Sequence, residues 1–146
     1  MKFRYKKIPD LEHPSRKWVS RPYLLVTLFY GANNRRVLSL VDSGADYCLF
    51  HSSVADELGI DVRSGWIKEF GGIAAGHSVH AYMHTIEIEI QGFGERVEIE
   101  AGFVDSDAIG GLLGGVGFLD NYKVTLEKYK GRFQIDARPV PVTERS

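Results

Sequence analysis

Apolar and polar residues alternate with a period of two along much of the chain. Ile86, Ile88 and Ile90 are separated by Glu87 and Glu89, and Val97, Ile99, Ala101 and Phe103 interleave with Glu98 and Glu100. That period places the apolar set on one face of an extended strand and the charged set on the other. Tyr122, Val124 and Leu126 repeat it, as do Phe133 and Ile135. Nearer the start, the apolar runs Tyr23 to Phe29 and Val37 to Val41 flank Gly31-Ala32-Asn33-Asn34, turn residues that predict a β-hairpin. One segment reads as an ordinary helix of about two turns. Ser53 with Asp56 three residues on matches a capping signature, Val54, Ala55 and Leu58 share a face, and Gly59 supplies the stop. A second short helix is predicted from Val116 to Asn121, with Gly114, Gly115 and Gly117 weakening its start. The chain is therefore expected to be all-β, with one or two short helices and no repeat of solenoid length.

At 146 residues there is room for one domain. Apolar residues at 44% and charged residues at 25% fit a chain that buries a core. Eighteen basic against nineteen acidic residues leave a net charge of −1, which argues against a dedicated nucleic-acid binder, and no nucleic-acid partner is expected. A single cysteine, Cys48, excludes an internal disulfide. The longest apolar stretch, Tyr23 to Tyr30, is far short of the roughly 20 residues a membrane helix needs. The opening MKFRYKKIPDLEHP has no apolar signal region, so a cytoplasmic protein without a membrane partner is expected. Charge is uneven: Lys2, Arg4, Lys6, Lys7, Arg16, Lys17 and Arg21 face only Asp10 and Glu12 within residues 1–22. Residues 1–21 read as a solvated basic extension, 22–136 as the compact domain, and 137–146, with Pro139 and Pro141, as a tail.

The segment richest in chemistry is Leu38-Ser39-Leu40-Val41-Asp42-Ser43-Gly44-Ala45-Asp46, where an apolar strand ends in a carboxylate, a hydroxyl and a glycine. Burial at a strand end raises a carboxylate's proton affinity unless neighbours donate to it, and a glycine lets another backbone come close. The bare tripeptide Asp-Ser-Gly is also a common turn. A second signature, Ile109-Gly110-Gly111-Leu112-Leu113-Gly114, follows later in the chain.

Together these segments resemble the retropepsin-like aspartic proteases. Leu40-Val41-Asp42-Ser43-Gly44-Ala45 matches that family's catalytic loop, and Leu112-Leu113-Gly114 its later apolar-apolar-glycine segment. Between them, Glu69-Phe70-Gly71-Gly72-Ile73-Ala74-Ala75-Gly76 is similar to its glycine-rich flap. The resemblance spans about residues 22–136 and is closer to free-standing cellular and bacterial members than to viral ones. It departs at Ser43, where threonine is commoner, and at Gly115, where viral members carry arginine. It implies a closed, barrel-like β domain with a flap hairpin. It also implies an endopeptidase active as a homodimer, because Asp-Ser/Thr-Gly occurs only once here and the chemistry needs two carboxylates. Asp42, Ser43 and Gly44 would form the catalytic loop. Ala45, Asp46, Gly71, Gly72, Ile73, Ala74, Gly76, Leu113 and Gly114 would contact a peptide or protein substrate. No metal or cofactor is implied. A catalytically silent dimeric peptide-binding module and a retroelement-derived polyprotein-processing protease are the alternatives.

Other constellations carry less. His77, His80 and His84 would suit zinc on a helix, but on a strand His77 faces away from the other two. Cys48 sits in an apolar run and reads as a buried thiol, and Trp66 reads as packing at the base of the flap. Gly110 to Gly117 lacks the spacing and the lysine of a phosphate loop, and Ser43 is not in a Gly-x-Ser-x-Gly elbow.

Overall fold

The structure, a computed structural model, describes residues 1–71 and 78–138. Among the described residues, twelve strands are distributed over three sheets. The strands are β1 (Lys2–Arg4), β2 (Lys6–Pro9), β3 (Trp18–Arg21), β4 (Tyr23–Tyr30), β5 (Asn33–Val41), β6 (Cys48–His51), β7 (Trp66–Gly71), β8 (Ser78–Ile90), β9 (Arg96–Val104), β10 (Gly111–Leu113), β11 (Tyr122–Glu127) and β12 (Arg132–Ala137). One α-helix, α1 (Ser52–Leu58), follows β6.

The main sheet runs β4-β5-β10-β6-β9-β8 and closes by pairing β8 back onto β4, from Val26 opposite Ile90 to Phe29 opposite Glu87. Closure removes the exposed edges of those strands. The hairpin predicted around residue 31 is β4 and β5, with Tyr30 opposite Asn33. Leu24, Val26 and Leu28 point into the barrel with Ile86, Ile88, Ile90, Phe50, Phe103 and Phe118, all almost fully buried. Strand β7 lies outside the ring, pairing with β8 from Trp66 opposite Met83 to Gly71 opposite Ser78, so the two arms of the expected flap are an antiparallel hairpin. The architecture is the all-β chain that the alternation predicts, closed into the barrel that the family resemblance implies.

Strand β8 changes the face it buries. Ala81 and Met83 are buried in its first half and Ile86, Ile88 and Ile90 in its second, so the buried parity shifts from odd to even. The first set packs with Leu49 and Val104 in a small second cluster, and the second set packs in the barrel.

Three local features differ from the sequence expectation. The helix begins at Ser52, and its cap is His51, whose Nδ1 accepts the Ser53 N–H at 3.1 Å; Ser53 therefore lies in the first turn. The chain leaves β6 at His51, so the first turn forms immediately after the strand. The stop at Gly59 is as expected, with φ at 76° in the left-handed region. Residues Val116 to Asn121 form a chain of turns instead of a helix, with Leu119 and Asp120 donating to carbonyls five residues back. Gly117, at φ 96°, breaks any right-handed helix there.

The third difference is at the start of the chain. Strand β1 pairs with β12, Phe3 stacks on Phe133 with ring centroids 5.5 Å apart, and Tyr5 meets the same ring edge-on. Strands β2 and β3 pair with each other, and Arg16 holds Asp10 at 2.8 Å in the loop between them. Residues 1–5 are built into the fold rather than solvated around it, because alternate residues Phe3 and Tyr5 supply an apolar face that the charge count hides; β2 and β3 form a separate two-stranded sheet, and residues 11–18 between and beside them are exposed. Phe3→Ala is expected to lower stability by about 2 kcal/mol, less than a fully buried phenylalanine would cost because Phe3 is half-buried. Urea unfolding monitored by circular dichroism measures this.

Candidate active site

Strand β5 brings Asp42 to the site. Its last residue, Val41, is buried, and the chain then turns sharply. Asp42 Oδ1 accepts the Gly44 N–H at 2.9 Å, and the Asp42 carbonyl accepts the Ala45 N–H at 3.2 Å. The carboxylate is thus held in an Asx turn by its own loop. Asp42 is half-buried, while Ser43, Gly44 and Asp46 are exposed. A Cβ on Gly44 would lie 3.2 Å from Asp42 Oδ1, so the glycine leaves the carboxylate its space.

The second motif locks this loop from below. Strand β10 inserts between β5 and β6, parallel to β5 with Leu113 beside Val41, and antiparallel to β6 with Leu112 opposite Leu49. The Asp42 N–H donates to the Leu113 carbonyl at 3.0 Å, Gly115 N–H to Ala45 at 2.8 Å, and Val116 N–H to Asp46 at 2.7 Å. Gly114 lies in the fork of these bonds: a Cβ there would stand 2.5 Å from the carbonyl oxygens of both Ala45 and Tyr47. Gly111 is as tightly placed, with the buried Ser39 hydroxyl 2.6 Å from where its Cβ would be. Two segments remote in sequence therefore meet because an inserted parallel strand pairs with the end of β5 and carries the loop's clasp.

Of the residues the sequence singles out, Asp42, Ser43, Gly44, Ala45, Asp46, Leu113 and Gly114 come together in this way. Gly71 ends β7. Gly72, Ile73, Ala74, Gly76 and His77 lie outside the described residues. His80 and His84 are separate: His80 Nδ1 is 3.4 Å from Glu69 Oε1, and His84 Nε2 donates to the Val62 carbonyl at 2.7 Å. Trp66 is half exposed at the base of β7 and donates to Glu100 at 3.0 Å. A cavity of about 570 Å³ between α1 and β8, lined by Ser52, Arg63, His80 and Tyr82 among others, includes no residue of the Asp42 loop.

The sequence reading passes over an aromatic wall beside the loop. Tyr47, immediately after Asp46, meets Phe70 of β7 edge-on at 6.2 Å, and both pack with Val79, Ile109 and Leu112 against Leu49, Ala81, Met83 and Val104. Its signal was present: Lys68 and Phe70 alternate on one face of β7 and Tyr47 follows the Asp42 motif by two residues, but only the barrel puts the two together.

Cys48 is fully buried, and burial pushes its thiol up to about 11. An unfolded thiol ionises nearer 9, so above that pH the unfolded state releases its proton first and the native state loses stability. Native protein is expected to resist alkylation at pH 8 and react fully on unfolding. Its unfolding free energy should fall as pH rises from about 9 to 11, by more than that of a Cys48→Ala protein. Thiol labelling followed by mass spectrometry, and denaturant titrations across that range, check both.

The sequence pattern of the aspartyl protease family matches residues 29–115, more than half the chain and inclusive of both motifs. The chain belongs to the aspartyl protease family. Solved structures agree on the fold. A retropepsin-like aspartic protease from Rickettsia conorii superposes with a TM-score of 0.56 at 21% identity, covering 77% of this chain and 88% of its own. The retroviral protease-like domain of Ddi1 from Leishmania major gives 0.55 at 19%, covering 81% and 90%. Curated proteins gave no match. Among the described residues of this family member, no helix is long and apolar enough to cross a membrane.

Proposed function

We propose that the protein is an aspartic endopeptidase whose active unit is a homodimer, with one Asp42 from each subunit forming the dyad. The observation that carries this is the Asp42 loop itself. The half-buried Asp42 has its carboxylate oriented by the Gly44 N–H and its backbone N–H bonded to the Leu113 carbonyl of β10, and Ser43 and Gly44 beside it are exposed. The chain supplies the Asp-Ser-Gly motif once, so a second carboxylate comes from a second copy. Two carboxylates about 3 Å apart cannot both ionise, so the pair holds one proton and titrates as a unit. The ionised member takes a proton from water, which attacks the scissile carbonyl carbon, while the protonated member donates to the carbonyl oxygen. Collapse of the tetrahedral species returns a proton to the departing nitrogen, and no covalent enzyme intermediate forms.

Ser43 would link the two loops across the interface, and Gly44, Ala45 and Asp46 would meet the substrate main chain. Leu113 and Gly114 would support the loop from β10. Gly71, Gly72, Ile73, Ala74 and Gly76 would close over an extended peptide and exclude water. Membership of the aspartyl protease family and the joining of both motifs through the Asp42–Leu113 and Gly115–Ala45 backbone bonds support this reading. The test is cleavage of a mixed peptide library from about pH 4 to 8, at protein concentrations where sedimentation shows dimer. Cuts at defined positions with a bell-shaped pH dependence are expected. A stable dimer that cuts nothing contradicts the proposal and favours the silent peptide-binding module.

A further inference from the structure

Lys68 is half-buried on β7, two residues before Phe70 and on the same face. Its Nζ lies 5.4 Å from the centre of the Tyr47 ring and 5.6 Å from that of Phe70. The rings hold the ammonium in place through their quadrupoles but leave its charge uncompensated. Among the described residues no carboxylate comes within 4.0 Å of it. The neighbouring acid Glu69 is on the opposite face of the strand, engaged with His80, and Asp46, beside Tyr47, is exposed. The result is an apolar wall of Tyr47, Phe70, Val79, Ile109 and Leu112, reaching from the Asp42 loop to the flap arm, with one fixed positive charge on its aromatic end.

Resting on the peptidase reading above, we propose that Lys68 selects substrates with a carboxylate side chain at the position that lies against this wall. The stem of a glutamate would pack on the rings and its carboxylate would meet Nζ. An uncharged isostere gains only the packing, and a lysine meets like charge. A two-fold dimer carries one such wall on each side of the scissile bond, so the acidic preference is expected at two symmetry-related substrate positions.

The experiment takes a peptide cut by the wild type and places Glu, Gln or Lys at each position in turn. At the selected positions kcat/KM for Glu should exceed that for Gln by about five- to tenfold, and Lys should be poorer than Gln. Lys68→Glu should invert the order of Glu and Lys, and Lys68→Met should bring Glu and Gln together. Both readouts are ratios within one protein, so a loss of folded fraction does not mimic them, and Lys68→Met carries the test if the charge reversal fails to fold. A wild type that cuts Glu and Gln peptides alike, or a Lys68→Met protein that keeps the wild-type ratio, overturns this inference and leaves the peptidase reading standing. A dimeric wild type that cuts no peptide overturns both.

Discussion

An Asp42→Asn protein is expected to lose peptide hydrolysis by about 10³-fold or more while keeping its fold. General acid–base assistance alone contributes on the order of 10² to 10⁴, and a dimer of the variant, with two amides in place of the two carboxylates, has neither a shared proton nor a charged base. The fold should survive because the asparagine side-chain oxygen can still accept the Gly44 N–H that Asp42 Oδ1 accepts at 2.9 Å. The backbone bond from residue 42 to the Leu113 carbonyl does not involve the side chain at all. Initial rates on a cleaved peptide, together with thermal unfolding of both proteins, make the comparison. Retained activity in the folded variant would remove Asp42 from the chemistry.

Gly114→Ala should damage both stability and activity, because the added methyl has no direction in which to relax. Its Cβ would stand 2.5 Å from two backbone carbonyl oxygens, those of Ala45 and Tyr47, which belong to the same loop as Asp42. Backbone on both sides makes this overpacking more costly than pressing on a flexible side chain, and about 2 to 3 kcal/mol of destabilisation is expected. For a domain of this length that corresponds to a fall in Tm of about 5 to 10 °C. Any shift that relieves the clash moves the Asp42 loop relative to β10, and a displacement near 1 Å lowers turnover by about 10²-fold. Nearby glycines give the contrast. At Gly110 an added Cβ meets nothing within 4 Å, and at Gly115 the nearest atom is the Asp46 carbonyl at 3.3 Å. Gly110→Ala should therefore be nearly silent and Gly115→Ala intermediate. Equal effects at all three positions would show that the clasp is not what holds the loop.

The parts of the fold that were legible in the sequence are those where one strand face meets the core and the other meets water. Ile86, Ile88 and Ile90 are buried with Glu87 exposed between them, and the alternation states this directly. Where both faces are covered the period disappears: β9 is buried continuously from Ala101 to Val104, and β8 switches parity after Met83 because it leaves one cluster for another. The turns after Gly114 could not be told from a helix by spacing, since they depend on Gly117's positive φ and on Ile99 lying 2.9 Å from where its Cβ would be, a contact made by a residue distant in the chain. The N-terminal strands were obscured by charge, because exposed lysines and arginines alternate with the half-buried Phe3 and Tyr5 that dock on Phe133. At the candidate site the two motifs were readable as short strings, and their order in the chain indicated a family. The clasp that joins them was not readable, since it depends on β10 entering between β5 and β6. Neither was the pairing of Tyr47 with Phe70, which local spacing does not encode.

The central claim is that the active unit needs one Asp42 from each of two subunits, and subunit mixing tests it most directly. Wild-type and Asp42→Asn chains are combined at fixed total concentration under conditions of free exchange, and peptide hydrolysis is followed as the wild-type fraction is lowered. If the dyad spans two subunits, only wild-type pairs are active and the rate falls as the square of that fraction, to about one quarter in an equal mixture. A rate that falls in simple proportion, to about one half, would mean that each chain works alone and would contradict the account.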